Sequence, residues 1–263
     1  MHRQRGSVRD CLRLRGRPDA GDCRFFTLYS QLLLLYYRFT GEKETVDRYY
    51  GIADGILKHF SQYAREDGLL EQVADKWNLV DWPENLRDGY DFPLTRPVVA
   101  LGCHNVINAL YIGAMETQNT LAEICGMEIP YQTEKIKKAY RNAFYREKTG
   151  LLADSETSSH AALHSNVYAM YFHLLPKADE QKILTFMEQK GFSCGVMLSY
   201  FVLRVFAECG HTIRCMSCWP MRGNTDGSIC CARAQRPVLR PGGKTRNGIP
   251  ACVTPGHLHQ SRF

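Results

Sequence analysis

ADKWNLVDWPENLRDGYD, residues 74–91, interrupts a sequence that is otherwise helical in pattern. Its eighteen residues hold two Trp, four Asp, one Glu, two Asn, one Arg and one Tyr, inside a longer non-periodic stretch covering 69–96. Loops longer than about twelve residues in compact domains are usually functional or disordered, and disordered segments lack this density of aromatic rings. Sugars are bound by stacking their C–H faces on aromatic rings while carboxylates and amides hold their hydroxyls. Trp beside Asp and Asn is the composition for that task. The competing reading is packing, with the Trp rings plugging the gaps between helices and the charges solvated.

On either side of this loop the apolar residues recur with helical spacing. Leu28, Leu32, Leu35 and Tyr36 share one face of a first helix, and Gly41 stops it. A second helix is predicted over 42–65, with Val46, Tyr49, Tyr50, Ile52, Ala53, Ile56, Leu57 and Phe60 facing inward. Beyond the loop, helices are predicted over 97–125, 132–145, 161–174, 176–189 and 195–208, the fourth beginning at Pro176 and stopped by Gly191. Helices of this length joined alternately by short and long links imply an all-α fold of stacked antiparallel hairpins. No repeat is visible in the sequence itself.

Four segments in this order, DKWNLVDWPENLRDGYDF from Asp75, GCHNVINALY from Gly102, ALHSNVYAMYFHLLP from Ala162 and GFSCGVMLSYFVL from Gly191, resemble the bacterial α-L-rhamnosidases of glycoside hydrolase family 78. The resemblance covers about 180 residues, by the positions of those motifs. It implies a partial (α/α)6 barrel over 27–210 and hydrolysis of terminal α-L-rhamnosides with inversion, without a cofactor or metal. It places Asp81 and Trp82 in the sugar pocket and Asp75, Trp77, Arg87 and Asp88 near it, with His104 and His164 lining the same cavity. A lone His in a helix is more often a hydrogen-bonded core residue, so that reading stands beside the functional one for both.

Inversion requires two carboxyl groups with room for a water, one of them an acid of raised pKa. The resemblance puts the acid in a DCPxRE-type motif upstream of anything in this sequence. Residues 9–12, RDCL, lack its Pro and Glu. No catalytic residue is assigned, and the chain is expected to be an inactive fragment.

The two ends differ from the body. Of the net +6, residues 1–25 carry +4 and 211–263 carry +7, leaving −5 for 26–210. Five of the eleven Cys (Cys215, Cys218, Cys230, Cys231, Cys252) lie in the last fifty residues. Together with His257 and His259 they echo a zinc module, but adjacent Cys seldom replaces a second CxxC. Both ends are expected to be out-of-frame translation and disordered. Read from the third base of each codon, the degenerate codons of the tail permit a GATTxxE-like string that resembles the family's C-terminal motif, where a candidate base carboxylate lies. Cys103, Cys125, Cys194 and Cys209 suit reduced thiols. Without a signal peptide or an apolar run of membrane-spanning length, the expected location is cytoplasmic. The expected partner is a rhamnoside, with neither nucleic acid nor membrane. Two other functions remain open: another (α/α)6-barrel carbohydrate enzyme, and a non-enzymatic helical scaffold whose tail binds zinc or nucleic acid.

Overall fold

The computed structural model describes residues 23–73, 76, 78–82, 84–92 and 102–211. The two expected out-of-frame ends lie outside these residues, apart from Cys23 to Phe26 and His211, and so do the zinc-like cysteines and histidines of the tail.

A short helix α1 (Cys23–Thr27) leads into α2 (Tyr29–Thr40). Gly41 ends α2 in the left-handed region, φ 71°, donating its N–H to the Tyr37 carbonyl. Only Gly41 and Glu42 separate α2 from α3 (Lys43–Phe60), so the two form an antiparallel hairpin. Glu44 in the first turn and Lys58 in the last suit the α3 dipole. The helix predicted over 42–65 is shorter than expected. After Phe60 the chain tightens into a 3-10 turn at Ser61–Tyr63 and pairs Ala64 with Leu70.

Beyond the loop come α4 (Asn105–Cys125) and α5 (Glu134–Phe144), then a two-residue hairpin of β1 (Tyr145–Arg146) and β2 (Leu151–Leu152). Three helices follow, α6 (Leu163–Tyr171), α7 (Glu180–Lys190) and α8 (Val196–Glu208). The described residues thus form three hairpins, α2–α3, α4–α5 and α6–α7, with α8 as a further helix.

The even-numbered helices make an inner row, α2 against α4, α4 against α6 and α6 against α8. Helices α3, α5 and α7 lie outside it, α3 on α2 and α4, α5 on α4, and α7 on α6. Burial follows position. Every residue of α4 from Asn105 to Ala114 is buried, and so is every residue of α6 from Leu163 to Met170. In α5 only the stripe Ile136, Tyr140 and Phe144 is buried. Gly113 lets α4 and the end of α6 approach, because a Cβ there would sit 2.2 Å from the Phe172 ring.

Two asparagines inside this row are fully hydrogen-bonded to backbone, as burial demands. The Asn108 amide accepts from the Leu70 N–H at 2.7 Å and donates to the carbonyls of Leu70 and His104. Asn166 does the same for Leu152, accepting its N–H at 3.0 Å and donating to the carbonyls of Leu152 and Ala162. Both asparagines lie four residues after the N-cap of their helix. Each clamps a leucine that precedes its helix, Leu70 in the loop and Leu152 in β2.

Candidate functional site

The aromatic and acidic loop crosses the N-terminal ends of α6 and α8, and two of its aspartates fix it there. Asp81 Oδ2 accepts hydrogen bonds from His164 Nε2 at 2.8 Å and from the Gly195 N–H at 2.7 Å, while Oδ1 accepts the Trp82 N–H at 2.8 Å. Arg24 Nη1 lies 3.9 Å from Oδ1 and donates to the Val80 carbonyl at 2.9 Å. Gly195 is the N-cap of α8, so the carboxylate sits where helix N–H groups and the dipole favour negative charge. A Cβ on Gly195 would come 2.3 Å from Asp81 Oδ1, which is why the closest approach of loop and helix is made by glycine. Burial pushes the Asp81 carboxyl up, but the His164 hydrogen bond and charge, with the backbone donors, outweigh it and hold the group below its ordinary value.

Asp88 is the second anchor. It accepts the Leu163 N–H at the start of α6 and pairs with Lys190 Nζ, each at 2.8 Å. Its backbone is left-handed, φ 52°, a conformation that short polar side chains tolerate. Arg87 Nε donates to the Asp81 carbonyl at 2.9 Å, tying the two anchors together. Between them Trp82 is 64% exposed.

His104 belongs to a neighbouring cluster. Asn78 donates both amide hydrogens, to the carbonyls of Val73 and Lys76, and so turns its oxygen toward His104 Nε2 at 3.4 Å. The other ring nitrogen, Nδ1, lies 3.1 Å from the Tyr90 hydroxyl, and the ring stacks on Phe92. Burial drives the His104 imidazole down to about 3, so it is neutral.

The structure therefore brings Asp81, Trp82, Arg87, Asp88 and His164 together, and joins His104 to Asn78 and Tyr90 of the same loop. Asp75 and Trp77 lie outside the described residues. Sequence reasoning passed over Asp154, in the link between β2 and α6. Its buried carboxylate accepts from Ala162 N–H, Ser165 Oγ, Asp91 N–H and His160 Nδ1, at 2.6–2.9 Å. The available signal was an acidic residue in the short link just before a predicted helix.

With this geometry in place, comparison with known proteins decides the family. The sequence profile of the bacterial alpha-L-rhamnosidase six-hairpin glycosidase domain matches residues 24–216. The chain belongs to this family. Three solved structures share its fold. A glycoside hydrolase family 78 rhamnosidase of Bacillus sp. GL1 has 16% identity and a TM-score of 0.58 over 73% of this chain. A rhamnosidase from Klebsiella oxytoca with rhamnose bound has 12% and 0.60 over 76%. The Streptomyces avermitilis α-L-rhamnosidase complexed with L-rhamnose has 17% and 0.51 over 72%. This chain spans 20%, 37% and 17% of their respective lengths. No curated protein matches the sequence.

The α2–α3, α4–α5 and α6–α7 pairs are thus hairpins of a six-hairpin rhamnosidase-type domain, the fold expected from the four sequence motifs. Among the described residues no cluster of three His, Cys, Asp or Glu is placed to hold a metal, and no helix is long and apolar enough to cross a membrane. Cys103, Cys125 and Cys209 form no disulfide among the described residues. Burial, and then the Glu156 charge, push the Cys103 thiol up to about 12.

Proposed function

We propose that this chain is part of an inverting α-L-rhamnosidase, acting on terminal α-L-rhamnosides, and that the loop over α6 and α8 is its saccharide cradle. The observation that carries this reading is an exposed Trp82 held between two anchored aspartates at one end of the inner row of a rhamnosidase-type domain. An exposed indole offers a ring face to the C–H face of a sugar. Arg87 and Asp88, both partly accessible, lie beside it.

In that cradle Asp81 would act by positioning the loop. Its three hydrogen bonds and its lowered pKa suit a carboxylate that positions the loop, whereas a general acid needs a raised pKa. Asp154 is likewise committed to four donors. We therefore infer that this chain binds sugar and does not turn it over at an enzyme's ordinary rate.

Titration of the full chain with L-rhamnose, followed by tryptophan fluorescence, tests the cradle. Saturable quenching is expected, with Trp82→Ala weakening it about tenfold or more, equivalent to about 1.4 kcal/mol. Binding unaffected by Trp82→Ala would remove the cradle. Release of rhamnose from an aryl α-L-rhamnoside at about 1–1,000 turnovers per second would overturn the inactivity.

A further inference from the structure

Three histidines pack against the aromatic and acidic loop, and burial separates them. His104 and His164, which the sequence motifs placed in the sugar pocket, are 4% and 0% exposed. Their ring nitrogens meet the loop itself, His104 at Tyr90 and Asn78 and His164 at Asp81. Neither can reach a ligand directly. The third is His160, in the link before α6, and its side chain is 38% exposed. Its Nδ1 lies 2.6 Å from Asp154 Oδ2, while Nε2 has no hydrogen-bond partner among the described residues.

Two features aim this nitrogen outward. The first is Asp154, which is fully buried and held in place by the Ala162 N–H, the Asp91 N–H and Ser165 Oγ. A carboxylate accepts and does not donate, so Nδ1 carries a proton, and turning the ring over would break the bond. The group on one ring nitrogen thereby decides what the other presents. The second is Gly89, left-handed at φ 69°. A Cβ there would come 3.4 Å from Nε2 and 3.6 Å from Cε1, covering the ring edge that glycine leaves open. Gly89 directly follows Arg87 and Asp88. His160 therefore faces the stretch of loop that carries the accessible polar residues of the cradle.

We propose that His160 is a further sugar-contacting residue, its Nε2 pairing with one hydroxyl of the saccharide that stacks on Trp82. This rests on the cradle reading. A hydroxyl both donates and accepts, so it pairs with Nε2 whether the imidazole is neutral or charged. Stacking on an indole tolerates many sugars, whereas a single aimed polar group discriminates by the presence and direction of one hydroxyl. In this assignment Trp82 supplies affinity and His160 supplies specificity, with Asp154 as the positioning residue behind it.

The test titrates methyl α-L-rhamnoside, and its analogues lacking one ring hydroxyl each, into the full chain and into His160→Phe, followed by tryptophan fluorescence. One analogue is expected to bind the parent about fivefold more weakly than the glycoside, the worth of one neutral hydrogen bond. In His160→Phe that same analogue should bind as well as the glycoside does. The other analogues should keep one ratio to the glycoside in both proteins. A circular dichroism spectrum like that of the parent shows that the variant folds. Should it not fold, nitrogen NMR of the imidazoles in the parent decides, where the His160 Nε2 resonance is expected to move on saturation with the glycoside. A parent that binds no glycoside overturns the cradle and this inference together. Trp82-dependent binding in which every analogue keeps its ratio in His160→Phe, or a stationary Nε2 resonance, overturns this inference and leaves the cradle standing.

Discussion

Asp81 links three parts of the chain through one carboxylate: its own loop through the Trp82 N–H, α6 through His164 and α8 through the Gly195 N–H. Replacing it with Ala leaves these donors without their acceptor, and breaking a buried pair in this way costs about 3–5 kcal/mol. Urea unfolding of Asp81→Ala at neutral pH is expected to show that loss, while a loss below about 1 kcal/mol would mean that solvent already reaches the carboxylate. The two perturbed groups of the site also set where the fold weakens in acid. Asp81 is held below 3.8, so its contribution is complete above that value and disappears as pH falls through its lower folded value. His104 acts at higher pH. The unfolded chain takes up its proton near 6.5 and the folded chain only near 3. The stability that neutral His104 confers is whole above 6.5 and falls by up to about 1.4 kcal/mol per pH unit between those limits. Unfolding free energies measured at pH 7, 6 and 5 should therefore drop less steeply in His104→Gln than in the parent. Equal slopes in the two proteins would show that His104 is protonated in the fold.

At the scale of elements, the recurring device is an asparagine one turn into an inner helix. Asn108 and Asn166 each hold both backbone groups of a preceding leucine and a carbonyl at their own helix N-terminus. Ala at either position strands buried backbone groups of Leu70 or Leu152, at about 1–3 kcal/mol. Thermal unfolding of Asn108→Ala and Asn166→Ala should show similar losses, and a neutral result for either would break their equivalence. The device was illegible in the sequence, where HNVIN and ALHSN share too little to read as a repeat. Helix existence was legible, because periodicity and stop signals such as Gly41 and Gly191 are local. Helix ends were less so. The pattern of α3 ran on to Arg65 because Tyr63 and Ala64 continue the apolar spacing, while the chain in fact turns to pair Ala64 with Leu70. The loop stood out in the sequence as a candidate site through its composition. The division of labour within it was not, because only the fold brings Asp81 to Gly195, 114 residues away, and leaves Trp82 outside.

The whole molecule is held by apolar clusters of very unequal size. The large one runs from α1 and the second half of α3 through α4 and α6 to α8, and the anchored loop contributes Val80, Tyr90 and Phe92 to it. The small one has four buried residues, Leu33, Leu34, Val46 and Leu121, where α2 turns into α3 and meets the second half of α4. Segments with few buried apolar contacts open at lower free energy than the body of a domain. The α2–α3 turn is therefore the place for partial opening. The α6–α8 end, joined to the loop by Asp81 and Asp88 as well as by packing, opens only with the whole. Native-state hydrogen exchange under increasing urea should separate the two. Amides of 33–46 are expected to exchange through an opening smaller than global unfolding, while those in the middle of α4 and throughout α6 merge with the global isotherm. A single isotherm for all helices would show that the small cluster is as firmly coupled to the fold as the large one.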